Sequence, residues 1–393
     1  MVHEFIRRSV NTPASSFRVG LDGRAFSSPA AGVRRYVTEL TAAMIAIDGS
    51  PELVAIGAGR DAQVPHGVVR IPAASILPTN LGWSIDGLPR ACRRAGLHVF
   101  HAPAYTAPLW GVRPLLVTIH DVCYARHPEW YPYHSDPVRR AFYRRSAVAA
   151  DVVITDSEFS RREIQAAYGI PGERIRVIPL GVGAPFGTAG ADTNRTELRK
   201  RTMLHVGDLH ARRNIGVLVE ALALLRADAQ MHDVDLVLAG VDRGSLATLL
   251  TRADALGLSG AIRAIPDCTD DTLADLMRQS ALLAYPSLYE GFGLPTVEAM
   301  ACGAPVVASN AASLPEVVGD AGLLVDPRDV RAWRDALSAV LTSPERAASM
   351  RQAGLARAAT FTWNRTAMET LAVYRSLGRV QHADGRQEIS QTS

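Results

Sequence analysis

Apolar positions along this chain follow two alternating rhythms. Short runs rich in Val, Ile and Leu predict strands at Arg18–Leu21, Leu53–Ile56, Val68–Ile71, Val99–Phe100, Leu115–Ile119, Val152–Thr155 and Arg174–Ile178. The same rhythm restarts at Thr202–Val206, Val234–Ala239, Ala261–Ile265, Ala281–Tyr285 and Pro305–Ala308. Between them apolar residues recur at helical spacing. A helix opens near Val33, with Tyr36, Val37, Leu40 and Met44 on one face. Others are expected over Trp83–Ala95, with a break at Pro89, over Pro137–Ala150, after Ser157 as N-cap, over Ile215–Leu225 and over Asn364–Leu377. Strands alternating with helices imply parallel sheets covered on both faces. Ligands of such sheets bind beyond the carboxyl ends of the strands, where Asp22, His101, His120, Asp121 and Asp156 fall.

A length of 393 residues accommodates two domains with full cores. The Gly-, Ala- and Thr-rich stretch after Pro179 has no apolar period and reads as a linker. The expected organisation is therefore a disordered extension over 1–16, an N-terminal domain over 17–180 and a linker over 181–200. A C-terminal domain over 201–360, a terminal helix over 361–378 and a disordered tail over 379–393 follow. The glycines of GVGAPFG do not make a dinucleotide loop, because Pro185 interrupts them and no helix pattern follows.

A net charge of +3 is too small to argue for nucleic acid as a partner. Lys200 is the single lysine among 42 basic residues, a bias of the coding sequence more than of the chemistry. The four cysteines, at 92, 123, 268 and 302, form no zinc or disulfide pattern, which fits reduced thiols in the cytoplasm. No apolar run reaches the ~18–20 residues of a spanning helix. The helix over 137–150 carries Arg139, Arg140, Arg144 and Arg145 beside Phe142 and Tyr143. A solvated face is the simpler reading, and peripheral contact with the inner face of a membrane is the alternative.

The richest chemistry lies in YPSLYEGFGLPTVEAMACGAPVVASN, residues 285–310. A strand ends at Tyr285, a glycine-bearing loop follows, and Pro295 suits the first turn of a helix with Glu298 on that turn. The free N–H groups of a helix N-terminus attract an anion such as a diphosphate. Glu290 and Glu298 would repel that anion, so they are expected to face hydroxyl groups, and diphosphate plus diols describes a nucleotide sugar. Arg212 and Arg213, in GDLHARRN, stand before another helix N-terminus, where two cations need an offsetting anion.

The run EGFGLPTVEAMACGAPVVAS resembles the E-x7-E signature of the retaining family 4 glycosyltransferases, with Glu290 and Glu298 as its two acids. AGVRRYVTEL, TIHDVCYARHPEWYP, SEFSRREIQAAYGIPGERIRVIPLGV and ASLPEVVGDAGLLVDP are similar to further segments of that family, so the resemblance covers roughly residues 17–378. It implies the GT-B fold: two Rossmann-like, doubly wound parallel-sheet domains facing a central cleft, the C-terminal helix crossing back to the N-terminal domain. It implies a nucleotide-sugar donor as substrate, no cofactor, and a glycan or lipid-linked acceptor. By the same resemblance Glu290 contacts the transferred sugar, Glu298 the ribose, and Gly32, Arg212, Arg213, Gly291, Phe292, Gly293 and Leu294 the donor. Arg213 takes a position where the family shows Lys, and Asp208 stands where some relatives carry Arg. His120 and Asp121, in TIHD, are matched to the reacting centre; Asp121 either orients His120 or caps the next turn. Asp22, His101 and Tyr105 are acceptor-side candidates.

Asp233-Val234-Asp235 precedes a strand instead of ending one, so it predicts no metal site, and Arg212, Arg213 and helix N-termini are left to neutralise the leaving diphosphate. No residue stands out as a covalent nucleophile, which favours front-face transfer. The resemblance is nearest to bacterial mannosyltransferases that use GDP-mannose. The alternatives are a UDP-, ADP- or dTDP-sugar donor, a sugar-nucleotide epimerase on the same fold, and a binding module without catalysis.

Overall fold

The computed structural model describes residues 17–76, 79, 82–131, 136–188 and 201–390. The expected extension over 1–16, most of the expected linker and the last three residues lie outside them. Among the described residues thirteen strands form two sheets. The first contains β1 (Arg18–Asp22), β2 (Glu52–Ile56), β3 (Val69–Ile71), β4 (Val99–Ala102), β5 (Leu115–Thr118), β6 (Val152–Thr155) and β7 (Ile175–Val177), in the order β3-β2-β1-β4-β5-β6-β7. The second contains β8 (Thr202–Val206), β9 (Asp235–Ala239), β10 (Ile262–Ile265), β11 (Leu282–Tyr285), β12 (Val306–Ser309) and β13 (Leu323–Val325), in the order β10-β9-β8-β11-β12-β13. Registered neighbours run parallel, such as Leu282 beside Met203 and Leu21 beside Ala55. Both orders reverse direction once, next to the first strand of each sheet, and that reversal opens a crevice at the strand ends.

The inner strands are buried on both faces, as parallel strands covered by helices must be, while the edge strands β3, β7, β10 and β13 are partly exposed. In the second sheet Met203, Leu236, Leu238 and Leu282 meet Leu218 and Leu222 of the helix Gly216–Arg226 and Trp333 and Leu337 of the helix Val330–Leu341. Trp333 is fully buried, and its indole N–H donates to the Asp326 carbonyl at 3.0 Å. The helix Ala31–Ile45 buries Val33, Tyr36, Val37, Leu40 and Met44, the face its spacing predicts. At Pro89 the chain does not break. A π-helical turn, Trp83–Gly87, runs into the helix Leu88–Ala95, whose first turn holds the proline where its missing N–H costs nothing. β13 was not expected, although β3 and β7, also three residues long, fall within expected runs.

By internal contacts the chain parts into two compact units. One is the chain up to Pro103, Pro108–Leu116 and the chain from Leu371; the other is Ala104–Ala107 and Val117–Thr370. The final helix, Trp363–Ser390, continues past the expected end at 378, since no proline follows to stop it. Within the first unit Tyr374 of this helix is fully buried against His101, its hydroxyl 2.7 Å from Nδ1. His101 is itself a strand residue with no exposed surface, because β4 extends two residues beyond the run Val99–Phe100. This corrects its expected place on an acceptor surface: it is a core histidine. Tyr374→Phe, which removes one buried hydrogen bond, is expected to cost roughly 1–2 kcal/mol in urea unfolding; an unchanged midpoint would show that the contact carries no stability.

Candidate active site

The carboxyl ends of β8 and β11, neighbours in the second sheet, bring the two expected arginines to Glu290. After β8, Gly207 takes φ +132°, and a Cβ there would sit 3.1 Å from the Arg213 Cζ. A tight turn, Ala211–Arg213, follows, with the His210 side chain as its cap. Asn214 then adopts a left-handed conformation, φ 53°. Its amide donates to the Pro286 carbonyl at 3.3 Å and the Pro327 carbonyl at 2.6 Å, tying three strand-end loops together. The turn aims Arg213 inward, where it is buried.

Arg213 Nη1 donates to Glu290 Oε1 and to the Tyr285 hydroxyl, and lies 3.4 Å from Ser287 Oγ. Its Cζ stands 5.3 Å from the Tyr285 ring centroid, a cation–π contact. Its Nε, also buried, has no hydrogen-bond partner among the described residues. Arg212 Nη1 is 3.6 Å from Asp121 Oδ2 and 3.9 Å from Glu290 Oε2. The anion that offsets the two guanidinium groups is therefore the chain's own Glu290, with Asp121 beside it. Burial alone would raise the Glu290 pKa; Arg213 and then Arg212 overcome it, and the carboxyl ends below its usual range. Burial works against the charge of Arg212, but Glu290 and Asp121 hold its pKa well above the ordinary value. Beneath this group His205 stacks on Tyr285 at 5.8 Å, and burial with the nearby Arg213 pushes its pKa down to about 4.

The second part of the site comes from β5 and β6. Thr155 Oγ1 donates to the Ile119 carbonyl at 2.7 Å, which pins the strand ends side by side. His120 follows β5, and its Nδ1 is 2.8 Å from Oδ2 of Asp156, which follows β6. Asp121 does not orient His120: its Oδ1 accepts from the Cys123 N–H at 3.0 Å and caps the next turn, while Oδ2 faces Arg212. Tyr105, at φ 35°, stacks on Tyr143 at 5.7 Å and meets the His120 ring edge-on at 6.4 Å.

Gly291 joins the two parts. A Cβ on it would run into the His120 carbonyl oxygen and come within 3.0 Å of the Asp121 Cβ. Its own carbonyl accepts from Ser157 Oγ at 2.6 Å and Ser160 Oγ at 3.1 Å, and Ser160 Oγ also reaches the His120 carbonyl at 3.1 Å. Ser157 caps the helix Glu158–Tyr168, as its sequence predicts. Glu316 accepts from the Glu158 and Phe159 N–H groups of the same helix end, at 2.8 and 3.2 Å.

Beyond Gly291, Phe292 is buried and meets Phe361 edge-on, and Gly293, at φ 91°, caps the helix Leu294–Ala301 with no side chain of its own. Glu298 is the fifth residue of that helix, just past its first turn, and is buried. Asp208 is half-buried and paired with Arg243 at 2.9 Å. Asp233 and Asp235 pair with Arg201 and Arg226, each at 3.2 Å. Asp22 and Gly32 belong, with His101, to the other compact unit. Asp22 is buried, caps Arg24 and forms an ion pair with its guanidinium at 2.6 Å. Gly32 lies in the first turn of its helix, with open space where a side chain would go. The sequence placed Asp156 and Ser157 at this edge but assigned them no site role, and it did not single out Tyr285 or Asn214; the signal is position, since Tyr285 ends its strand and the other three lie one or two residues past a strand or turn.

Residues 191–357 match the family described as Glycosyl transferases group 1, and residues 30–184 match Glycosyltransferase Family 4. The chain is 33% identical over 291 residues to O-antigen chain mannosyltransferase B of Escherichia coli, covering 71% of this chain and 74% of that protein. It is 31% identical over 273 residues to the serotype-specific mannosyltransferase WbdA of Escherichia coli, but spans only 34% of that longer protein. It is 32% identical over 286 residues to D-inositol 3-phosphate glycosyltransferase of Salinispora tropica, covering 67% of this chain and 59% of that protein. Among solved structures, sucrose-phosphate synthase from Thermosynechococcus elongatus superposes with a TM-score of 0.73 at 20% identity, over 93% of this chain and 100% of that one. WaaG, a glycosyltransferase involved in lipopolysaccharide biosynthesis, superposes at 0.72 with 16% identity, over 91% and 99%. These likenesses show the GT-B fold.

Two outcomes follow from the geometry. Gly291→Ala forces Cβ against backbone and is expected to cost roughly 2–4 kcal/mol in denaturant unfolding; a neutral result would mean the two loops part freely. The depressed folded-state pKa of Glu290 makes its contribution to stability complete above the usual carboxyl value of 4.5, and lost as pH falls through the folded value. The urea midpoint should therefore fall more steeply below pH 4.5 in the parent than in Glu290→Gln, and parallel curves would refute the linkage.

Proposed function

The chain belongs to the group 1, family 4 glycosyltransferases, and from that premise we propose that it moves a hexose, mannose from GDP-mannose, onto a hydroxyl of a glycan or lipid-linked acceptor with retention of anomeric configuration. The observation that carries this reading is the buried Arg213–Glu290 pair set beside Arg212 and the His120 loop. A diphosphate arriving there exchanges with Glu290 as partner of the guanidinium groups, and the unpartnered Arg213 Nε supports the exchange because it still has a proton to donate. Glu290, released, turns to the sugar. The N-terminus of the helix Leu294–Ala301 adds N–H groups to the phosphate side, and Glu298, deeper in that helix, holds the ribose diol.

In the transfer step the bond from the anomeric carbon to the β-phosphate oxygen breaks, and the nucleoside diphosphate leaves with the electron pair. The acceptor oxygen bonds to the same face of that carbon, and its proton passes to the leaving phosphate. Arg212, Arg213 and the helix end carry the developing charge, so no divalent cation is required. Mannosyltransferase relatives support the donor, and synthesis of cell-surface polysaccharide or glycolipid fits a glycan or lipid-linked acceptor. No helix among the described residues is long and apolar enough to cross a membrane. The helix Pro137–Ala149 keeps Arg140 and Arg144 exposed, which suits a lipid-linked acceptor presented at a membrane surface.

The reading is tested by thermal shift with GDP-mannose, UDP-glucose, UDP-N-acetylglucosamine and dTDP-rhamnose. A bound donor at ~100-fold its dissociation constant adds ~2.7 kcal/mol. GDP-mannose should raise the melting temperature and the others should not, and Glu290→Gln should keep that shift while losing roughly 100-fold in transfer measured in EDTA. A shift with a different nucleotide sugar alone replaces the donor; no shift with any of them removes the proposed function.

A further inference from the structure

We infer that Asp156 is a positioning residue that fixes the proton of His120 on Nδ1 and so sets what the other ring nitrogen offers to the substrate. The inference rests on the transferase reading only for the last clause; the pairing itself is a property of this chain.

Two carboxylates lie within reach of His120. Asp121 is next to it in sequence, but its oxygens are committed to the Cys123 N–H and to Arg212. Asp156 is 36 residues away in the chain, yet its Oδ2 meets Nδ1 at 2.8 Å, and its side chain is only 2% exposed. Its other oxygen has no hydrogen-bond partner among the described residues, so no second donor competes for the carboxylate. Burial raises the Asp156 pKa, and the contact with His120 opposes that shift by favouring the carboxylate.

The backbone leaves His120 little freedom to break this pairing. Its carbonyl is held by Ser160 and abuts Gly291, and the β5 and β6 ends are pinned by Thr155. The described groups near the ring include Asp156 from the end of β6 and Tyr105 edge-on, with Asp121, the neighbouring residue, paired to Arg212. A carboxylate can only accept, so Nδ1 must donate to it, and Nε2 of the neutral ring is left with a lone pair. That nitrogen is buried in this structure, so it accepts a hydrogen bond only from a sugar hydroxyl that displaces the groups covering it. The opposite tautomer could only donate one.

Asp156→Asn keeps shape and removes the charge. Imidazole nitrogen shifts on the 15N-histidine protein, with His120→Ala to identify the resonance, read the pairing without any substrate. The parent should show the proton on Nδ1 and the variant a mixture or the reverse; a parent ring protonated on Nε2 overturns the inference whatever the activity. In transfer assays the variant should lose roughly ten- to a hundredfold in kcat while GDP affinity, which depends on the arginines, is unchanged. The acid limb of its kcat profile should move to lower pH, because an imidazolium without its anionic partner gives up its proton more readily. A loss equal at every pH, or a loss that follows the melting temperature, overturns the positioning role. Correct nitrogen shifts in a protein inactive with every donor would instead leave the pairing standing and sink the transferase reading.

Discussion

The site depends on how closely one backbone can approach another. Gly291 lies against the His120 carbonyl with no room for a methyl group, and two serine hydroxyls from the Ser157 helix end hold the Gly291 carbonyl in place. That approach brings a loop of the second sheet to the strand ends of the first, so residues far apart in sequence share one small volume. A side chain at position 291 would separate Glu290 from Asp121, and the balance of two guanidinium groups against two carboxylates would be lost with it.

That balance explains why so much charge is buried here. Glu290 and Arg213 are largely dehydrated, which is costly for either alone and tolerable only as a pair with further hydrogen bonds. Tyr285 and Ser287 supply those bonds, and Arg212 adds a second positive charge. The result is a site already neutralised from within. Under the proposed function, an incoming diphosphate would have to replace a carboxylate instead of filling an empty positive pocket, and the difference between the two partners would set its affinity.

The fold was legible because parallel strands buried on both faces are short, nearly all-apolar and separated by amphipathic helices. Strands β1, β2, β5, β6, β8 and β11 lie within a residue or two of their expected limits. The three-residue β13 was missed: Leu323–Val325 is an apolar run of the same kind as the others, but no further strand was expected after Ala308. In the site, the meeting of Arg213 with Glu290 was readable as two charged groups at two strand ends, but their direct contact was not, because it depends on which strands are neighbours. Spacing suggested Asp121 as the companion of His120. The fold chose Asp156, since β5 and β6 lie side by side and their ends face each other. His101 misled for a related reason: a histidine after two apolar residues looks like a loop residue until the strand is seen to run through it.

Arg213 has one more consequence. A guanidinium spreads its N–H groups over a rigid plane, where an ammonium offers one point of charge. Position 213 is where the family resemblance shows lysine, and here Nη1 meets Glu290, Tyr285 and Ser287 while Nε of the same plane has no hydrogen-bond partner among the described residues. A compact ammonium could not divide its contacts in this way, so orientation as well as charge becomes a property that this strand edge has to preserve.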